Sequence, residues 1–240
     1  FDAGANPLFF TAAANANVTY LASDASQLNQ NIEQYVSSVD DGKTTDRLLL
    51  PRWPTNVFYN TINPIQLVDE YNYIFHDRFV NAGQDPCVVP GAICTTRDYS
   101  QILIAEAESA LRHMLTFKKW PHFFHQGNVA KYDANGNTLQ FDWLNSVFTE
   151  YERLIKLPVK SFPYHQIGDK TKDRLNAKSA TIQAVWNRAN NTVSISANKA
   201  VPNLEITGLT GGELYGGQFI RAVTVNTQPV TFTVNRALTQ

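Results

Sequence analysis

Long apolar runs are missing from this chain of 240 residues. The longest stretches, Leu48 to Pro51, Val57 to Tyr59 and Phe123-Phe124, are a small fraction of the roughly 20 residues a bilayer-spanning helix needs, so no transmembrane segment is expected. An excess of one charge is missing too. Lys and Arg number 20 against 21 Asp and Glu, a formal net charge of -1. No basic cluster stands out, which argues against a nucleic-acid partner. Charge of either sign is sparse at 17% while hydrophobic residues reach 43%, a balance that excludes a disordered chain and leaves material for a real core. Internal repeats and low-complexity tracts are absent. The first residue is Phe1 rather than Met, and no signal-peptide pattern follows it, so the chain is expected to be a processed form or a piece of a longer polypeptide.

Cysteine is scarce, but its two copies are placed suggestively. Cys87 and Cys94 bound the segment Cys-Val-Val-Pro-Gly-Ala-Ile-Cys. A loop of that size with proline and glycine can bring two Cβ atoms together, so a local disulfide is expected, with two free thiols as the alternative. Two glycosylation sequons, at Asn17 and Asn190, agree with a secreted protein.

Up to about residue 167 the pattern alternates between helical stretches and short apolar runs. Residues 7–14, 30–36, 65–75, 100–117 and 141–155 read as helices. In the third, Ile65, Val68, Tyr71 and Phe75 fall at helical spacing; in the fourth, Leu103, Ala107, Leu111 and Met114 do. Between them, residues 18–22, 47–51, 121–125 and 158–162 read as strands. Strands alternating with helices indicate βα units around a parallel sheet or barrel. Four such units are too few to close an eight-stranded barrel, so the first half of one is expected outside this chain. From about residue 168 the texture changes to short, alternating, β-branched runs separated by Gly211-Gly212 and Gly216-Gly217. Residues 168–240 therefore read as a small antiparallel β-sandwich module following an α/β domain over 1–167.

In α/β folds, sites gather at the carboxyl ends of strands. Two predicted strands end in chemistry: one in Arg52-Trp53-Pro54-Thr55-Asn56, the other in His125-Gln126-Gly127-Asn128. A surface ion pair for Arg52 and a rim histidine for His125 are the plainer alternatives. His165 could border the same site. Asp133-Ala-Asn-Gly-Asn lacks the later bidentate acid of a calcium loop and reads as a turn.

These segments also carry a resemblance. Leu50-Pro51-Arg52-Trp53-Pro54-Thr55-Asn56, then Phe58-Tyr59-Asn60, Glu70-Tyr71-Asn72-Tyr73, Phe123-Phe124-His125-Gln126-Gly127-Asn128 and Glu213-Leu214-Tyr215-Gly216-Gly217-Gln218 resemble, in that order, the later half of metal-dependent polysaccharide deacetylases of the galactosaminogalactan-deacetylase type. The resemblance covers nearly the whole chain. It implies the second half of a distorted (β/α) barrel, followed by the β module. Arg52-Trp53-Pro54 matches the Arg-x-Pro motif, whose arginine orients the catalytic-base aspartate. His125 matches the late histidine that serves as general acid. A divalent metal, usually zinc, is implied as well, held by one aspartate and two histidines from earlier motifs that this chain does not contain; the N-terminal half of the enzyme is thus an expected partner. His122 and His125, three apart, make a poor ligand pair on a strand because odd offsets face opposite sides. Asp77 and Asp98 are the two candidates for the motif preceding the late histidine.

The expected function is de-N-acetylation of an N-acetylhexosamine-bearing polysaccharide outside the cell, in a cell wall or biofilm matrix. His125 is the expected acid and Arg52 its supporting charge. Trp53 is a candidate sugar-stacking wall or a packed aromatic. Asn56 and Asn128 are candidate contacts to sugar hydroxyls or loop caps. The rival reading is a non-catalytic carbohydrate-binding or adhesion protein, for which Trp186 and Tyr215 are the only good aromatic candidates on the β region.

Overall fold

Two asparagine-proline pairs start helices in the same way. Asn6 and Asn63 are extended, and each turns its side-chain oxygen back onto the helix, accepting from the N–H of Leu8 at 3.1 Å and of Gln66 at 3.0 Å. Pro7 and Pro64 fill the first helical position, where an N–H has no intrahelical partner anyway. The results are α1, Pro7–Asn15, and α2, Pro64–Asn72. The computed structural model describes residues 6–40, 43–116 and 118–235. It divides the chain into two compact units, Phe1–Lys156 and Leu157–Gln240.

In the first unit, β1 (Tyr20–Asp24), β2 (Gln34–Asp40) and β3 (Lys43–Arg52) form a mixed sheet in the order β1-β3-β2. The β1–β3 pair is parallel, with Asp24 opposite Arg52, whereas β2 runs antiparallel to β3, with Gln34 opposite Leu49. Residues 30–36, expected to be helical, thus turn and enter strand β2. Val36, β-branched, packs partly buried against the Phe10, Leu21 and Leu49 cluster, a place on a half-covered sheet that suits it better than an isolated helical turn. Phe10, Leu21 and Leu49 are buried together where α1 covers the sheet.

The larger core of this unit is helical. After α2, a single π turn (Tyr73–Asp77) leads into the short α3 (Arg78–Asn81). α4 is Tyr99–Met114 and α5 is Leu139–Leu154. Leu67 and Tyr71 from α2, Ile102, Ala107 and Ala110 from α4, and Leu139, Trp143 and Val147 from α5 pack as one cluster with Val57. The buried face of α2 is centred on Leu67 and Tyr71 rather than on Ile65, which is 75% exposed. α4 stops at Met114; residue 117, the predicted end, lies outside the described residues. Asp98 caps this helix, accepting from the Gln101 N–H at 2.9 Å while the Gln101 side chain accepts from the Asp98 N–H, a reciprocal capping box.

Two expected strands are not strands. Residues 121–125 contribute one parallel bridge, His122 opposite Trp53, and residues 158–162 have no regular structure. Pro121 in the first, and Pro158 with Pro163 around the second, remove the donors a ladder needs. The described residues of this unit therefore carry one parallel strand pair and one bridge, not four βα units.

The second unit starts at Leu157 and takes in α6, Tyr164–Lys178, so its boundary lies ahead of the 167/168 division expected from texture. Two antiparallel three-stranded sheets follow. One has the order β4-β5-β9 (Ile182–Asn187, Thr192–Ala197, Val230–Thr233), the other β6-β8-β7 (Val201–Thr207, Gln218–Val225, Glu213–Tyr215). Ile195 and Ala197 of one sheet share a buried cluster with Val201, Val223 and Val225 of the other. Every residue of β4 is exposed. Gly212, at the entry to β7, has φ +98 and faces the Ile220 carbonyl so closely that a Cβ would lie 2.4 Å from its oxygen. Only glycine fits there.

Candidate active site

The backbone after β3 is stitched to residues 121–123. Trp53 N–H donates to the Pro121 carbonyl at 2.8 Å, and Phe123 N–H to the Trp53 carbonyl at 3.1 Å. The Thr55 hydroxyl donates to the Phe123 carbonyl at 3.2 Å. These bonds set the ends of both segments side by side and bring Arg52 and His125 to one place. The Arg52 guanidinium carbon lies 4.9 Å from the Phe123 ring centroid, and its Nε donates to the Ser23 carbonyl at 3.4 Å. The His125 ring meets Phe123 edge-on at 5.7 Å and Tyr59 at 6.0 Å. Arg52 is half-buried and His125 exposed. The two residues singled out by the sequence thus converge on a shared aromatic ring.

The position of His125 is fixed from below by Asn128. Asn128 Oδ1 accepts from the His125 backbone N–H at 2.9 Å, and Nδ2 donates to the carbonyls of Phe58 at 2.8 Å and Thr61 at 3.1 Å. With 0% exposure, this side chain has no surface to offer a sugar; the expected substrate contact is instead a pin between two loops. Asn56 is likewise engaged inward. Its N–H and its Nδ2 donate to the two carboxylate oxygens of Glu106 at 3.1 and 2.8 Å. Glu106 is buried on α4, and burial pushes its carboxyl above the usual range, with the Asn56 hydrogen bonds and the Arg97 charge opposing the shift.

Trp53 is a packed aromatic on one face. Its ring stacks on His113 at 3.9 Å and 3° from parallel, and Trp120 lies 4.7 Å away. Its indole N–H is buried without a hydrogen-bond partner. Beneath it, His113 Nδ1 and His122 Nε2 are 3.0 Å apart, so one nitrogen donates and the other is bare. Burial, with His113 adding to it, depresses His122 to about 4, and burial together with Lys118 lowers His113. At neutral pH both rings are uncharged. That separates the two histidines of the His-Phe-Phe-His run: His122 has no proton to give near neutrality, whereas His125 is open to solvent.

The remaining candidates fall elsewhere. Asp77 pairs with His76, Oδ1 to Nδ1, at 2.7 Å, and Asp98 is the helix cap. Asp133 spends its carboxylate on Asn135 and Asn137, which makes its segment a turn as expected. His165 is exposed on α6, in the second unit. Cys87 and Cys94, the pair expected as a disulfide or as two free thiols, are both exposed and carry no bond between their sulfurs here. They are nonetheless neighbours, and the hydrogen bond to Cys94 is the main cause that pushes the Cys87 thiol up to about 11. Asn17 and Asn190 are exposed, and the Thr192 hydroxyl of the second sequon donates to Asn190 Oδ1 at 2.7 Å.

Sequence reasoning passed over Glu106, the His113–His122 pair and Tyr59. A signal for the first was present: Glu106 stands midway between Ile102 and Ala110, at i+4 from each, an acid inside an apolar stripe. The histidine pair depends on contacts across the fold that spacing does not reveal.

The sequence profile of the Agd3 deacetylase domain matches residues 11–185, more than half of the chain. The chain belongs to the Agd3 deacetylase family. The solved structure described as "Crystal structure of Agd3 a novel carbohydrate deacetylase" is similar to it with a TM-score of 0.70 and 19% sequence identity, over 93% of this chain and 35% of that one. At that identity the likeness is one of fold. Among curated proteins none matches. The matched Agd3 region runs through the first unit and α6 and into β4. Among the described residues, no three His, Cys, Asp or Glu side chains gather into a group able to hold a metal ion. The described residues by themselves thus offer no set that fits the divalent metal the resemblance implies. No described helix is long and apolar enough to cross a membrane.

Proposed function

We propose that this chain is the His125-bearing part of an enzyme that removes acetyl groups from N-acetylhexosamine residues of an extracellular polysaccharide. The observation that carries the reading is the meeting of Arg52 and His125 on Phe123 in a chain of the Agd3 deacetylase family. Hydrolysis of the acetamide breaks its C–N bond, and the departing sugar amine needs a proton. The exposed His125 imidazole is the group that would donate it as general acid. Arg52, held by the Ser23 carbonyl and the Phe123 face, supplies the positive charge that the resemblance assigns to orienting the base aspartate. The chain spans 35% of the length of the solved Agd3 chain it matches, and the proposal assigns the zinc ligands and the base aspartate to the rest of the enzyme. Secretion belongs to the same reading, supported by the exposed Asn17 and Asn190 sequons.

The binding-only alternative asked for a row of exposed aromatics on the β region. Tyr215 donates to the Pro158 carbonyl at 2.9 Å and lies under Lys160, which leaves Trp186 beside Arg188 as a single ring. The test is acetate release from polymers of N-acetylglucosamine and of N-acetylgalactosamine by the enzyme carrying this chain. Release that stops with EDTA and in His125→Ala is expected. No release from wild-type enzyme sinks the reading, and undiminished release from His125→Ala sinks the assignment of the acid.

A further inference from the structure

Tyr59 is an exposed aromatic on an unusually constrained loop. Phe58, just before it, points into the first unit's core, 6.4 Å from the Tyr71 ring and 6.3 Å from that of Phe75. Thr61, two residues on, is 1% exposed and donates its hydroxyl to the Phe58 carbonyl at 2.8 Å. Asn128 holds the carbonyls of both Phe58 and Thr61. Gly127 lies directly against the loop: a Cβ there would come within 3.1 Å of Ile62 Cγ2, 3.2 Å of the Thr61 carbonyl oxygen and 3.3 Å of that of Tyr59. The backbone on both sides of Tyr59 is thus locked to the turn that carries His125. Yet the Tyr59 side chain is 73% exposed, with its ring 6.0 Å from that of His125. Among the described residues, no hydrogen bond within the protein involves its hydroxyl.

We infer that Tyr59 is the stacking platform that seats the hexosamine ring whose acetamido group is presented to His125. The inference rests on the proposed deacetylation and names its substrate-positioning residue. A pyranose shows an apolar C–H face that lies flat on an aromatic ring, and a tyrosine adds a hydroxyl for the sugar's own hydroxyls. A sugar on Tyr59 reaches His125 with the group that hangs from its ring, because the two rings are neighbours on one rigid support. The platform is already ordered before substrate arrives, so binding does not have to freeze a loop. Trp53, which the sequence offered for this role, has one ring face covered by His113.

The test compares wild type with Tyr59→Ala, Tyr59→Phe, Tyr59→Trp and His125→Ala. Binding of soluble N-acetylglucosamine and N-acetylgalactosamine oligomers is measured by calorimetry, and acetate release is followed where it occurs. Tyr59→Ala is expected to weaken binding and raise KM about tenfold with kcat within about twofold, the size of one aromatic contact. Tyr59→Trp and Tyr59→Phe keep most of the affinity. His125→Ala loses turnover and keeps binding. If His125→Ala is inactive but Tyr59→Ala has wild-type KM, the platform is wrong and the deacetylase reading stands. If oligomers bind, Tyr59→Ala abolishes binding and no acetate appears, the platform stands and the hydrolytic reading falls. Failure of wild type to bind either oligomer overturns the platform outright.

Discussion

A neutral histidine pair beneath the site has a thermodynamic consequence that can be measured. Burial depresses the half-buried His122 to about 4, and His113 is lowered as well. The unfolded chain takes up protons near pH 6.5 that the folded chain refuses until lower pH. The stabilisation from this pair is therefore complete above pH 6.5 and is lost as the pH falls toward 4. For His122 alone the shift is equivalent to about 3 kcal/mol at 1.36 kcal/mol per unit. The urea midpoint of the wild-type chain is expected to drop across that window. His122→Gln, which still offers His113 a hydrogen-bond partner but binds no proton, is expected to lose most of the drop. A midpoint slope unchanged by that substitution would place the acid sensitivity in other groups.

At the scale of elements, α4 reaches the site through one carboxylate. Glu106 receives both donors of Asn56 and so ties the segment after β3 to the helix behind it. Removing the acceptor in Glu106→Ala leaves the half-buried N–H and side-chain amide of Asn56 without their partner, a loss of about 1–3 kcal/mol, read as a lowered urea midpoint. Its pH dependence runs opposite to that of the histidines. A carboxyl whose folded pKa is raised contributes stability that is fully present below its unfolded value near 4.5 and lost as pH rises through the folded value. Glu106→Gln should accordingly gain on wild type as the pH rises from 4 toward 7. Equal differences at both ends would mean that Glu106 does not titrate in that range. Elements of this kind were legible in the sequence where packing follows a single period. The helices α2, α4 and α5 lie close to where helical spacing puts them, and the strands of the second unit fall within the alternating, β-branched stretch after residue 168. α6 was hidden because its buried face is built from Gly168 and Thr171, residues that no hydrophobic period registers. The strands expected at 121–125 and 158–162 failed because apolar composition was present but the prolines withhold donors. At the site, Arg52 was readable as the residue that ends β3, whereas His125 was reached through an expected strand that is only one bridge. For Asn56 and Asn128 the sequence left a sugar contact and a loop cap both open, since a loop asparagine looks the same in sequence whether it faces a sugar or a buried carbonyl.

On the scale of the whole molecule, the two units have separate buried clusters, and the second one is complete within 157–240. A fragment of residues 157–240 is expected to unfold cooperatively by itself, seen as a single sigmoidal transition in urea. A broad, non-sigmoidal loss of signal would show that its core is not self-sufficient. Such a fragment brings β4 with it. This strand stands at the edge of its sheet with one ladder partner, β5, and exposes Ile182, Val185 and Trp186 by 37%, 69% and 45%. It carries neither lysine nor proline to discourage another strand from pairing with it. Self-association in concentrated solution is therefore expected to run through β4 without unfolding. Light scattering should grow with concentration while the fold is intact, and a single charge on that strand, Val185→Lys, should keep the solution clear.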